Sequence, residues 1–237
     1  ETAKKIVDFL AKEADSIFIG WFGGEPTLNV RVIRYTYEYA TKTYPNKRWV
    51  MGMTTNGVLL SNKEIIRRLD GVIRSVIFSI DGVEDAHDMH RKFRDGRGSW
   101  RYVRDGLINA LNWLGAQNVT ARLTLTPETV QYMFESVKYL IKLGVRKLFV
   151  GIVPELDWDV DTLQTMYNQY QLCGEFILRL IIEKGYRIHF GQARQGFEHL
   201  VALRPRGRHS HCGTGRNGVC FDVDGTIWAC HRFKGYK

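Results

Sequence analysis

The sequence predicts an α/β fold in which parallel strands alternate with helical crossovers. Three observations carry this. Short apolar runs recur five or six times, separated by stretches with helical spacing. Three consecutive runs end in polar or Gly-rich segments: Gly23-Gly24-Glu25-Pro26, Thr54-Thr55-Asn56-Gly57 and Ser79-Ile80-Asp81-Gly82. The 237 residues are 44% hydrophobic and 12% aromatic, enough apolar material for a sizeable core and too much for a disordered chain. The pattern fits an open doubly wound sheet or a (β/α) barrel, whole or partial. In either, a ligand sits at the C-terminal ends of the strands.

The elements follow in order. Residues 2–13 place Ile6, Phe9 and Leu10 on one helical face. Ile17 to Phe22 is a continuous apolar run, as in a buried parallel strand. A helix is expected from about Leu28 to Thr43, stopping before Pro45. Trp49 to Met53 is the second strand, and Ser61 is placed to cap a helix reaching about Leu69. Val72 to Phe78 is the third strand. Val83 to Gly98 reads as a long polar connection. Ser99 is placed to cap a helix with Val103, Leu107, Ala110, Leu111 and Leu114 at helical spacing. Val119 to Leu125 alternates as a fourth strand. Glu128 to Leu143 is a helix ended by Gly144, and Lys147 to Val153 is a fifth strand. Asp159 or Asp161 opens a long helix whose buried side carries Leu163, Met166, Tyr170, Cys173, Ile177, Leu180 and Ile181; Gly185 ends it. Arg187 to Phe190 is a sixth strand. Beyond about Gly191 the pattern breaks into Arg, Gly, His and Cys, so one domain is expected over 1–191 and another over 192–237.

The net charge of +9 favours acidic partners. No aromatic RNA-binding motif, zinc finger or basic-region helix is present, so nucleic acid is not an expected partner. No apolar run reaches the roughly 18 residues that cross a bilayer. No charged-then-apolar leader precedes the first helix, so a cytoplasmic location is expected.

Gly23 and Gly24 allow close approach of the backbone to a ligand. Glu25 beside them suits a ligand ammonium, and it equally suits a plain β–α turn with an acid at a helix N-terminus. Cys173 lies on the apolar side of a helix and reads as core. Cys212, Cys220 and Cys230 fall within 19 residues, amid Gly, Asp and His. Such thiolates suit an iron–sulfur cluster or zinc, and a cytosolic setting disfavours a disulfide. Asp224-Gly225 is a hairpin turn between strands Val219–Val223 and Ile227–Ala229.

The segment Trp21-Phe22-Gly23-Gly24-Glu25-Pro26-Thr27-Leu28 resembles the GGEP segment of radical S-adenosylmethionine enzymes. The resemblance continues in order through Thr55-Asn56-Gly57, Ser79-Ile80-Asp81-Gly82, His87-Asp88, Arg91 and Gly98-Ser99-Trp100. It is strongest to the branch carrying a C-terminal SPASM domain, which includes sulfatase-maturing enzymes and peptide maturases. It implies a partial (β/α)6 TIM-like barrel followed by the start of a small Cys-rich SPASM-type extension. It implies S-adenosyl-L-methionine as cofactor, held by Gly23, Gly24, Glu25 and Pro26. Ser79 would contact its ribose or carboxylate, Thr54 and Asn56 would complete the ribose site, and Arg91 would pair with its carboxylate. A reduced [4Fe–4S] cluster would split the cofactor to a 5′-deoxyadenosyl radical. That radical would take hydrogen from a peptide or protein, with flavodoxin or ferredoxin as electron donor. Cys212 and Cys230, with Gly225 between them, match the opening SPASM signature, implying auxiliary [4Fe–4S] clusters; Cys220 is a further ligand candidate.

Two departures shape the expectation. The family's Cys-x3-Cys-x2-Cys is absent, and would lie upstream of Glu1 together with the first barrel strand. The remaining SPASM cysteines would lie beyond Lys237. The chain is therefore expected to be an internal segment of a longer protein. His231 stands where sulfatase-maturing relatives carry an Asp. This favours peptide maturation over formylglycine formation, with His231 as a candidate base or as a hydrogen-bonding neighbour of a cluster. The alternatives are a sulfatase-maturing enzyme, a radical enzyme acting on a small molecule or nucleic acid, and a non-enzymatic zinc-binding module.

Overall fold

The computed structural model describes residues 1–191, 218–230 and 233. Six strands form one sheet: Ser16–Trp21 (β1), Arg48–Thr55 (β2), Ile73–Ser79 (β3), Val119–Leu125 (β4), Lys147–Ile152 (β5) and His189–Phe190 (β6). Their helices are Thr2–Glu13 (α1), Val30–Thr43 (α2), Lys63–Leu69 (α3), Glu84–His90 (α4), Trp100–Leu114 (α5), Met133–Lys142 (α6) and Val160–Lys184 (α7). Strand order in space equals strand order in sequence, and every neighbouring pair is parallel. A doubly wound sheet reverses order at a switch point; here no reversal occurs. Crossovers of one hand therefore collect the helices on one face, which makes the sheet a partial TIM-like barrel.

Strand alternation sorts the two faces. Val119, Ala121, Leu123 and Leu125 of β4 are buried toward the helices, while Thr120, Arg122 and Thr124 are half-buried on the other face. Val76, Phe78, Leu148 and Val150 join the same core, with Leu107 of α5, Leu140 of α6 and Ile177 of α7. Cys173 is fully buried there, and burial pushes its thiol up to about 12. It packs as a small apolar side chain. Among the described residues no helix is long and apolar enough to cross a membrane.

Helix α5 lies at backbone distance from the β2–α3 loop. A Cβ on Gly106 would overlap the Gly57 carbonyl oxygen. Asn109 Nδ2 donates to the Leu60 and Ser61 carbonyls at 3.0 and 3.2 Å. Gly57 itself has φ +79°, and its added Cβ would meet the Phe78 ring. Gly106→Ala would gain about 1 kcal/mol in helix propensity. Overpacking against rigid backbone costs about 1–3 kcal/mol, so net destabilisation is expected. Urea denaturation checks the sign.

Local details differ from the sequence expectations where tertiary partners intervene. Asn62, not Ser61, caps α3, its Oδ1 accepting from Glu64 N–H at 2.9 Å; the Ser61 hydroxyl turns back to the Val58 carbonyl. The polar stretch 83–98 contains α4, too short to show a period. Asp159 caps α7, accepting from Thr162 N–H at 2.7 Å. The first and fourth crossover helices, α2 and α6, start later than expected, after single 3-10 turns at Pro26–Asn29 and Val130–Tyr132. The hairpin is shorter than expected: Cys220–Phe221 (β7) pairs antiparallel with Ile227–Trp228 (β8). It rests on α1, with the Phe221 and Phe9 rings edge to face at 5.9 Å.

Candidate functional site

The end of β1 builds the first part of the site. Gly23 and Gly24 have φ of +88° and +49°, and a Cβ on either would meet nothing within 4 Å. Their freedom serves an unusual, exposed backbone rather than close packing. Pro26 opens the 3-10 turn, for which its fixed φ is suited. The Glu25 carboxylate turns inward. Its Oε1 accepts from Thr27 N–H at 3.1 Å, from the Thr27 hydroxyl at 2.6 Å and from the Thr55 hydroxyl at 2.6 Å. Its Oε2 accepts from Asn56 N–H at 2.7 Å. Thr27 and Thr55 are almost wholly buried. Glu25 thus ties the end of β1 to the end of β2, and the backbone of Gly23-Gly24 is what remains facing outward.

The end of β3 builds the second part. Asp81, 5% exposed, accepts from Arg91 Nε and Nη2 and from Thr124 N–H at 2.9 Å. His87 is fully buried. Asp81 N–H donates to His87 Nδ1 at 3.2 Å, and His87 Nε2 lies 3.1 Å from Ser99 Oγ. The Ser99 hydroxyl donates to the Arg91 carbonyl at 2.7 Å. It is therefore not the α5 cap that the sequence pointed to. Asp88 takes that place, accepting from Ser99 N–H and Trp100 N–H at 2.8 and 2.9 Å. Gly98 allows this, because a Cβ there would overlap the Asp88 carboxylate.

Burial lowers the His87 pKa from 6.5 to about 4, with the Asp81 charge opposing. The folded value lies below the unfolded one, so the folded state favours the neutral ring. Its contribution is complete above pH 6.5 and is lost as pH falls toward 4. At about 1.4 kcal/mol per pH unit, the loss across that window is roughly 3 kcal/mol. Denaturant titrations at pH 7 and pH 4 are expected to show it, and His87→Asn is expected to lack it.

A cleft of about 330 Å³ gathers Glu25, Leu28, Asn56, Leu59, His87, Arg91 and Phe93. Of the residues singled out from sequence, it brings together Glu25, Asn56 and Arg91. Thr54 and Ser79 sit on the strands themselves, in register with Ile77 and Arg122. Cys220 opens β7 of the hairpin on α1, and Cys230 follows the end of β8. Cys212 and His231 lie outside the described residues. Among the described residues no three His, Cys, Asp or Glu side chains are grouped to hold a metal. Sequence reasoning assigned no role to Thr27, Thr55, Asp81 or His87, and gave Ser99 only a capping role, although each stands within or beside a quoted motif.

Comparison with known proteins adds three findings. The family model described as the Radical SAM superfamily matches residues 1–166. An uncharacterized protein of Methanocaldococcus jannaschii is 31% identical over 150 residues, 62% of this chain and 50% of that protein. The chain therefore spans half the length of that curated relative. Among solved structures, native anSMEcpe with bound AdoMet and Kp18Cys peptide aligns with a TM-score of 0.77 at 18% identity, over 97% of this chain and 65% of that one. Streptococcus suis SuiB aligns with a TM-score of 0.63 at 15% identity, over 99% of this chain and 54% of that one. SuiB bound to precursor peptide SuiA gives 0.61 at 16%, over 100% and 54%. At these identities the structural likeness establishes the shared fold.

Proposed function

The chain belongs to the Radical SAM superfamily, and on that premise we propose that it forms the S-adenosylmethionine-binding part of an enzyme that modifies a peptide or protein. The observation that carries the reading is the cleft in which Glu25, Asn56 and Arg91 meet. The residues present fit the cofactor's amino-acid end. The outward backbone of Gly23-Gly24 suits an ammonium. Arg91, 32% exposed, keeps guanidinium surface for a carboxylate while Asp81 holds its Nε and Nη2. Pro26 stiffens the approach, and Thr54 and Ser79 on the strand ends serve the ribose and carboxylate.

When bound beside a reduced [4Fe–4S] cluster, S-adenosylmethionine would supply radical chemistry for hydrogen-atom abstraction. This chain's residues orient the cofactor and hold the rim closed around it. The barrel part spans 1–191, and Cys212, Cys220 and Cys230 in 192–237 serve an auxiliary cluster. His231 is the candidate base, and a small redox protein of the flavodoxin or ferredoxin kind supplies electrons.

Two features support a peptide substrate. Solved structures of similar fold carry peptides, Kp18Cys in one and SuiA in another. The sheet face away from the helices offers exposed Phe18 and Ile77, with Arg122 5.7 Å from the Phe149 ring centroid. That apolar and cationic lining suits a peptide better than it suits a small polar metabolite. The test is anaerobic reconstitution of the full-length protein with S-adenosylmethionine and reductant. Bound iron and sulfide, 5′-deoxyadenosine, and a changed mass in a peptide encoded beside it are expected. Zinc without iron, or no 5′-deoxyadenosine, would overturn the proposal.

A further inference from the structure

We infer that His87 is a positioning residue for Arg91, acting through Ser99 to fix the loop that presents the guanidinium to an amino-acid carboxylate. The inference rests on the reading of Arg91 given above. It starts from a closed ring of hydrogen bonds. The main-chain N–H of Asp81 donates to His87 Nδ1. A nitrogen that accepts carries no proton, so the proton of the neutral imidazole is on Nε2. Nε2 faces Ser99 Oγ, and the Ser99 hydroxyl passes the chain on to the Arg91 carbonyl. The ring closes where the Arg91 guanidinium returns to the Asp81 carboxylate.

Both ends of Arg91 are thus referred to one residue at the tip of β3. The carboxylate of Asp81 holds the head group directly, and its N–H holds the main chain through an imidazole and a hydroxyl. Each link has one direction of proton donation, so the ring has a single arrangement and little freedom to shift. A histidine serving only the core would need no partner chain ending at Arg91. Moreover, His87, Ser99 and Arg91 line the same cleft as Glu25 and Asn56, so a shift in the ring is a shift in the binding surface. Ser99 can be altered without unseating α5, because Asp88 caps that helix through main-chain N–H groups.

The test uses the full-length protein, reconstituted anaerobically, and two probes. S-adenosylmethionine carries the amino-acid carboxylate; 5′-methylthioadenosine keeps the adenosine and lacks it. His87→Asn preserves an acceptor for Asp81 N–H and cannot reach Ser99. In His87→Asn and in Ser99→Ala, S-adenosylmethionine is expected to bind about tenfold more weakly, with 5′-methylthioadenosine unchanged to within about twofold. Arg91→Ala is expected to show the same discrimination, more strongly. If His87→Asn does not fold, Ser99→Ala decides alone. Equal weakening of both probes, or of neither, in Ser99→Ala while Arg91→Ala discriminates overturns the role of His87 and leaves that of Arg91 intact. An Arg91→Ala protein that binds both probes as the parent does overturns the reading of Arg91 and this inference with it.

Discussion

Glu25→Ala is expected to destabilise the protein by about 3–5 kcal/mol and to weaken S-adenosylmethionine binding by at least about 100-fold. The carboxylate is the common acceptor for two hydroxyls and two main-chain N–H groups. The Thr27 and Thr55 side chains are buried while Glu25 is half-buried, and an unsatisfied buried donor costs about 1–3 kcal/mol. The Thr55 hydroxyl also accepts from Gly57 N–H at 3.0 Å, so the disturbance reaches the loop under α5. Without Glu25 the β1 and β2 ends lose their tie, and the Gly23-Gly24 backbone loses its anchor next to the cleft. Glu25→Gln keeps the shape and one acceptor oxygen but turns a donor toward donors, so an intermediate loss is expected. Urea denaturation and equilibrium binding read the two effects separately. A fully stable Glu25→Ala protein would contradict the role of the carboxylate as the rim's fastening.

Asp81→Ala is the second large effect. Removing one partner of a buried ion pair costs about 3–5 kcal/mol. Arg91 is 32% exposed, so water can reach part of its guanidinium and the low end of that range applies. At about 2–4 °C per kcal/mol for a chain of this size, a fall in Tm of roughly 6–12 °C is expected. Asp81→Asn keeps an acceptor for Thr124 N–H and should lose about half as much. Thermal melts of the pair check the ordering. If the two variants melt together, the Thr124 link to Asp81 contributes nothing and the account of this corner is wrong.

Much of the rim was legible before any coordinates. Strands buried on one or both faces read as short apolar or alternating runs, and the first three runs stop where polar or Gly-rich residues begin. That contrast placed Gly23 to Pro26, Asn56 and Asp81 at one end of the sheet. Caps were less legible. Ser61 and Ser99 are residues of the right type in the right place, yet Asn62 and Asp88 do the capping. Asp88 is eleven positions upstream of Ser99, and only folding of α4 and the 91–98 loop brings it there. Helix α4 escaped notice because seven residues span two turns, too few for a period, and its buried members are Ala86 and His87.

The fold class and the rim were written into the chain through local patterns: apolar periodicity, and glycines at turns. Two matters were left to long-range contact. The choice between a doubly wound sheet and a barrel depends on which strand lies beside which, and local periodicity is the same in both. The direction in which Glu25 points depends on the parallel register of β1 and β2, in which Gly20 faces Gly52 and Trp21 faces Met53. That register brings Thr55 and Asn56 to the carboxylate. Glu25 therefore fastens the rim as well as lining the cleft, because four donors from its own chain converge on its carboxylate.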